Sequence, residues 1–267
     1  MAPRSRVSPL LDKCLLRICA NAGYQRAEQD VKALMGVAVG HSSLHRYVNK
    51  QELEMPVILD KIEGISIDGG KIRLRGKKGE KSYFRDYKIA RINSQWYGAA
   101  YQQNVKLIDW INSQSQVVPL VCRGDGHDGV WNMFREIGTE RMEILDWYHL
   151  KEHLFGVGGS GKRLRTAEQL LWFGNVKETL LLFAQLKSKK AVNFRAYIQK
   201  NESRIINYNY WTNIVLNPLS VGSGDVESAV KQMGARVKLS GARWQEENVN
   251  QILALRCAYL NGVFDIA

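Results

Sequence analysis

The chain has 267 residues, 45% of them apolar, with 38 Lys and Arg against 26 Asp and Glu, a formal net charge of +12. That composition can fill an ordinary core and excludes collagen-like or broadly disordered chains. The cationic excess points to a polyanionic partner, most commonly nucleic acid. Cys14, Cys19, Cys122 and Cys257 form no C-x-x-C pair, which argues against a zinc site or disulfide framework and fits a reducing cytoplasm. Cys122 and Cys257 lie in apolar runs and read as packed thiols.

The first segment, MAPRSRVSPLLDKCLLRICANAG, places basic residues before an apolar stretch that Asp12, Lys13 and Arg17 interrupt. It therefore reads as an amphipathic helix and not as a signal peptide or membrane span. Residues 26–36 are helix formers with Val31, Leu34 and Met35 on one side. After GVAVGH, Ser42 or Ser43 is expected to cap a second helix in which Leu44 and Val48 are i,i+4 neighbours. Residues 1–56 thus have the outline of a helix-turn-helix, an outline that any two-helix hairpin shares. Arg46 and Lys50 are its candidate DNA contacts.

Beyond Pro56 the period changes to that of strands. ISID, then KIRLRG after Gly69-Gly70, then YFRDYKIARI after the polar KKGEKS, predict a three-stranded antiparallel meander. An amphipathic helix over 103–114, a strand in VVPLVC, a helix over about 128–138, a strand in MEILD and a helix from near Trp147 follow. Residues 158–221 read as helices only. A Gly/Ser turn, with Ser223 or Asp225 as a cap, leads into a helix carrying Glu227, and a strongly patterned helix ends the chain. The predicted fold class is α/β: an RNase H-like mixed sheet flanked by helices. Its core runs over 57–157 and 222–267, with an all-helical insertion over 158–221 between them.

Three acidic residues fall where this layout puts chemistry. Asp68 and Asp125 follow apolar runs that read as strands, and strand carboxyl ends are where α/β sheets gather their sites. Glu227 opens a helix. Each has a plain alternative: an Asp-Gly hairpin turn for Asp68, a turn role for Asp125 with Asp128 capping the next helix, and a surface Glu–Lys pair for Glu227. Clustered carboxylates raise one another's pKa unless a divalent cation neutralises them, and oxygen-only sites suit Mg²⁺ or Mn²⁺.

Asp146, His149 and His153 lie in DWYHLKEHL. An ion pair of Asp146 with His149, or histidines on a helix surface, is a better reading of them than zinc. GVGGSGKR (156–163) fits G-x-x-x-x-G-K but has Arg163 where Ser or Thr should stand, and it follows a helix. It reads as a basic loop, with Lys162 and Arg163 available to DNA. Lys71, Arg73, Lys231, Lys238 and Arg243 are further candidate phosphate contacts. Trp147, Trp172 and Trp244 are candidates for stacking on an unpaired base or, more commonly, for core packing.

The blocks SIDGGKIRLR, YFRDYKIARI, LIDWINSQ, GDGHDGVWN, EILDWYHLKEHL, VGSGDVESAVKQMGARVKLSGARWQEENV and LRCAYLNG, in this order over about 25–262, resemble the ISKra-type family of bacterial insertion-sequence transposases. These are DDE transposases with an RNase H-like core. The resemblance implies that Asp68, Asp125 and Glu227 are the catalytic, metal-holding acids. It implies Mg²⁺ or Mn²⁺ as cofactor, double-stranded DNA (element ends and target) as partner, and a dimer or higher multimer on that DNA. DWYH also resembles the Asp-x-x-His signature of Mutator-like elements, which places Asp146 and His149 near the site. Relatives have a longer N-terminal region, so the chain reads as a compact form, and Asp225 stands where a small neutral residue is expected. The activity implied is cleavage and strand transfer of DNA. A structure-selective nuclease and an inactive DNA-binding remnant are the alternatives.

Overall fold

The computed structural model describes residues 7–213 and 224–266, and the side chains from residue 228 onward in the second stretch. Strand β1 (Ile62–Leu74) runs unbroken through Gly69-Gly70, so the predicted turn is absent and Asp68 lies inside a strand. Gly70 faces Tyr87 of β2 (Tyr83–Ile92) across the ladder. A Cβ at Gly70 would come within 2.2 Å of the Tyr87 ring. Gly70 is thus there for a close ring contact in a sheet, and the pair makes no hairpin. The three-stranded meander exists with different members: β1, β2 and β3 (Trp96–Ala100), a short strand whose WYGAA sequence has weak alternation.

Helix α4 (Asn104–Asn112), β4 (Gln116–Gly124), α5 (Asp128–Arg135), β5 (Arg141–Leu145) and α6 (Trp147–Gly156) follow as predicted within a few residues. The sheet is mixed, in the order β3-β2-β1-β4-β5, with β1, β4 and β5 parallel and the meander antiparallel. Its open edge at β3 is closed by side chains. Asn261 bonds both the N–H and the C=O of Tyr97, and Asn250 does the same for Tyr101. Two asparagine amides thereby stand in for a sixth strand.

The helical stretch comprises α7 (Gly161–Trp172), α8 (Val176–Phe183), α9 (Lys189–Lys200) and α10 (Tyr208–Asn213). With α4, α5 and α6 it shares one apolar cluster with Ile65, Ile67, Ala90 and Ile92 of the sheet. The other cluster covers the opposite face through Ile72, Leu74, Tyr87 and Ile89. It is built from α11 (Gly224–Val237) and α12 (Val249–Leu260) together with the N-terminal helices α1 (Pro9–Cys19), α2 (Tyr24–Met35) and α3 (His41–Asn49). The described residues of the N-terminal segment, 7–56, therefore share their core with the sheet and the last two helices. Arg236 of α11 and Arg256 of α12, both buried, donate to the carbonyls of Cys19 and Ala20 at the end of α1. Cationic donors there satisfy orphan carbonyls and complement the helix dipole.

Some caps differ from expectation. Gly40, with no side chain to offer, precedes α3, and Ser42 and Ser43 lie inside its first turn. The predicted capping bond is replaced by Glu28, whose carboxylate accepts from both the backbone N–H and the ring of His41. His127 and not Asp128 caps α5. Ser223 lies outside the described residues.

Candidate functional site

Strand register aligns three carboxylates. Ser66 of β1 pairs with Arg123 of β4, and Gly124 of β4 pairs with Leu145 of β5. Asp68, Asp125 and Asp146 are the next residues at one level on three adjacent parallel strands, whose axes lie about 4.8 Å apart. The backbone N–H of Asp146 still bonds Gly124 O at 2.8 Å, so the ladder reaches that row. Asp68, Asp125, Asp146 and His149 line one small cleft, with the buried Arg123 and Gly124 forming its floor.

Each carboxylate is held differently. Asp68 accepts from the Gly69 N–H at 2.6 Å and Asp125 from the His127 N–H at 2.8 Å. Asp146 is buried and caps α6: its Oδ1 accepts from the His149 N–H at 2.8 Å and lies 3.0 Å from His149 Nδ1. Its Oδ2 is buried and has no hydrogen-bond partner. The expected Asp146–His149 ion pair is thus present. His153, one turn on, stacks on Tyr197 at 3.9 Å, so the two histidines do not act as a pair.

Burial holds the Asp68 carboxyl above its usual range. The charge of Asp125 adds to this, against the Gly69 N–H, His149 and Lys88. The hydrogen bond that His149 donates to Asp146 raises His149 to about 9 against the cost of burial, helped by the charges of Asp146, Asp68 and Asp125. The cleft therefore contains converging negative charge with an imidazolium at its side near neutral pH.

Glu227 lies in the first turn of α11, which packs over β1 and β2 through Ala229, Met233 and Val237. The side chains of Asp225 and Glu227 lie outside the described residues. Among the described residues, no three His, Cys, Asp or Glu side chains form a group able to hold a metal ion. What the described cleft does supply fits a divalent cation in kind: acidic oxygens from adjacent strands, one of them buried without a partner.

The candidate DNA contacts are spread over the molecule. Arg46 and Lys50 are exposed on α3, although Arg46 also donates to Ser43. Lys71 and Arg73 are exposed on the pleat face opposite Asp68, because they alternate with buried Ile72 and Leu74. Lys162 is exposed. Arg163 is only half-buried, its guanidinium 5.8 Å from the Phe183 ring centroid. Lys231, Lys238 and Arg243 are exposed. The GVGGSGKR loop joins α6 to α7 with Ser160 as the helix cap, and no strand precedes it. The tryptophans take packing roles. Trp147 is buried against Trp172 and Tyr208, and Trp244 donates to Val237 O with Arg236 over its ring.

Two contributors had little or no sequence signal. Tyr197 of α9 donates to Asp125 O at 2.9 Å, and its ring sits where a Cβ on Gly126 would go. Lys88, opposite Gly69 on β2, lowers the cost of ionising Asp68. Among the described residues, no helix is long and apolar enough to cross a membrane. No protein-family model matches the chain, and no curated protein matches it.

Proposed function

We propose that the chain is a DDE transposase with an RNase H-like core, cutting DNA and joining the released 3′ end to a target. The observation that carries this reading is the shared level of Asp68 and Asp125. They stand side by side on neighbouring parallel strands, Asp68 within β1 and Asp125 just past the end of β4, in a sheet of order 3-2-1-4-5, with the Glu227-bearing helix packed over β1. A meander followed by two parallel crossover strands, with acids in that row, is the arrangement expected of the family the sequence resembles. The net charge of +12 suits a DNA substrate.

In this reading Asp68 and Asp125, with Glu227, would hold Mg²⁺ or Mn²⁺. When bound, such ions supply Lewis-acid activation of phosphoryl and nucleophile oxygens. Asp146 fixes the direction of the His149 ring through Nδ1, leaving Nε2 of the imidazolium as a second donor. His149 then presents a positive hydrogen-bond donor to a scissile phosphate that enters between it and Asp125. Tyr197 fixes the backbone that carries Asp125.

The test is nicking of supercoiled plasmid in MgCl₂ or MnCl₂ by the intact chain and by Asp68→Asn, Asp125→Asn and Glu227→Gln. Each substitution is expected to reduce nicking at least about a hundredfold, since even outer-shell partners of metal sites cost 10–100-fold. Unchanged nicking in all three would remove the acids from the chemistry.

A further inference from the structure

The β1–β2 hairpin outgrows the sheet. From Gly69 to Leu74, β1 runs six residues past the row of carboxylates with β2 as its continuous partner. That overhang is roughly 20 Å at about 3.3 Å per residue. At its tip, among the described residues, an isolated bridge from Leu74 to Trp244 touches the edge that β4 has left, with Trp244 N–H donating to Arg73 O and Arg75 N–H to Trp244 O.

The overhang carries a concentrated charge. Between Lys71 and Lys88 the sequence has eight Lys and Arg and two acids, a net +6, half of the +12 of the whole chain. Among the described residues none of these eight cations forms a salt bridge. Lys71 and Arg73 share one exposed pleat face with Phe84, which pairs with Arg73 across the ladder and is 58% exposed. The Arg73 guanidinium lies 6.0 Å from the Phe84 ring centroid. Arg243 joins this end of the hairpin, its carbonyl accepting from Arg75 Nε at 3.2 Å. At the other end stands Lys88, which feels the Asp68 carboxylate.

A fold does not gather a net +6 around an exposed aromatic ring for stability: Asp86, opposite Lys71, offsets only one of these charges, and the ring is left in water. We propose that this hairpin face is a nucleic-acid-binding tract. Lys71, Arg73, Arg75 and Arg243 hold successive phosphates and Phe84 stacks on an unpaired base. Its length matches about six nucleotides at 3.4 Å per step of one strand, on the pleat face opposite Asp68. The tract rests on the reading of the chain as a DNA-cutting enzyme only for the choice of nucleic acid as its ligand. Binding is measured without any cutting.

The experiment is fluorescence anisotropy of the full chain with a short labelled duplex and a single strand of the same length, in EDTA, across a salt series. Lys71→Ala/Arg73→Ala/Arg75→Ala is compared with Lys187→Ala/Lys189→Ala/Lys190→Ala, which removes equal charge from exposed positions of the helical stretch. Circular dichroism checks that both remain folded. The hairpin variant is expected to lose at least about tenfold in affinity and to flatten the slope of log K against log salt by roughly 2 to 3. The other variant should leave the slope near that of the parent. Phe84→Ala should weaken the single strand at least about fivefold and the duplex far less.

Equal losses in the two charge variants, or none in the hairpin variant while the parent binds, overturn the tract and leave the enzymatic reading standing. Equal effects of Phe84→Ala on both probes overturn the stacking role. A parent chain that binds neither probe, but binds phosphatidylserine vesicles, overturns the tract and the DNA reading together.

Discussion

Asp68 ionises where burial and the charge of Asp125 both oppose it. Its carboxyl is raised, so the folded chain binds that proton more tightly than the unfolded chain does, and ionisation above the folded pKa costs stability. Asp68→Asn is therefore expected to raise the urea midpoint at neutral pH without divalent metal, while nicking is lost. A lower midpoint would mean that Asp68 is structural. His149 titrates with the opposite consequence. Its raised value, about 9 against 6.5, makes its contribution fully present below about 6.5 and lost as pH climbs through 9. Asp146→Ala should return the ring to the ordinary range in an NMR titration. It should also cost about 0.5–2 kcal/mol through the lost cap of α6.

At the scale of elements, the glycine pair in β1 decides where Asp68 stands. Gly70→Ala drives a Cβ into the buried Tyr87 ring and is expected to cost about 1–3 kcal/mol in chemical denaturation. A neutral result would mean that the ring moves freely. The same pair explains what the sequence could and could not tell. Alternation over KIRL and YFRDYKIARI made the strands legible, and the helices of 104–200 were legible from their periodicity. Gly-Gly after an Asp has the composition of a turn, and nothing local reveals an aromatic ring waiting on the next strand. β3 was missed because its five residues are buried by contacts with α12, which lies more than 140 positions later. Asp125 could be named from a strand end, and Asp68 from an apolar run, although its strand continues six residues past it. Their shared level could not, because it depends on the Ser66–Arg123 register. Tyr197 had no signal at all, since its role exists only once α9 reaches the end of β4.

At the scale of the whole molecule, the N-terminal helices complete the core under the sheet. Leu15, Leu16, Val31, Leu44 and Val48 are buried in the same cluster as Met233, Leu253 and Ile72. Residues 57–267 expressed alone are expected to lose cooperative unfolding or to aggregate, read by urea denaturation and sedimentation. A cooperative transition close to that of the full chain would restore the N-terminal segment as a separable module. Through Arg236 and Arg256, the same packing ties α1 to the helix that carries Glu227 and to its neighbour. A ligand that moves the first helices would thus act on the helix that carries Glu227 directly.

The central claim is that Asp68 and Asp125, with Glu227, cut DNA and join it. A strand-transfer reaction with Mg²⁺ and DNA taken from the two borders of the gene, run with the intact chain and with Asp125→Asn, tests it most directly. The account predicts joined products from the intact chain and none from the variant. Cleavage without joining would reduce the protein to a nuclease, and no product from the intact chain, although it binds the DNA, would contradict the account.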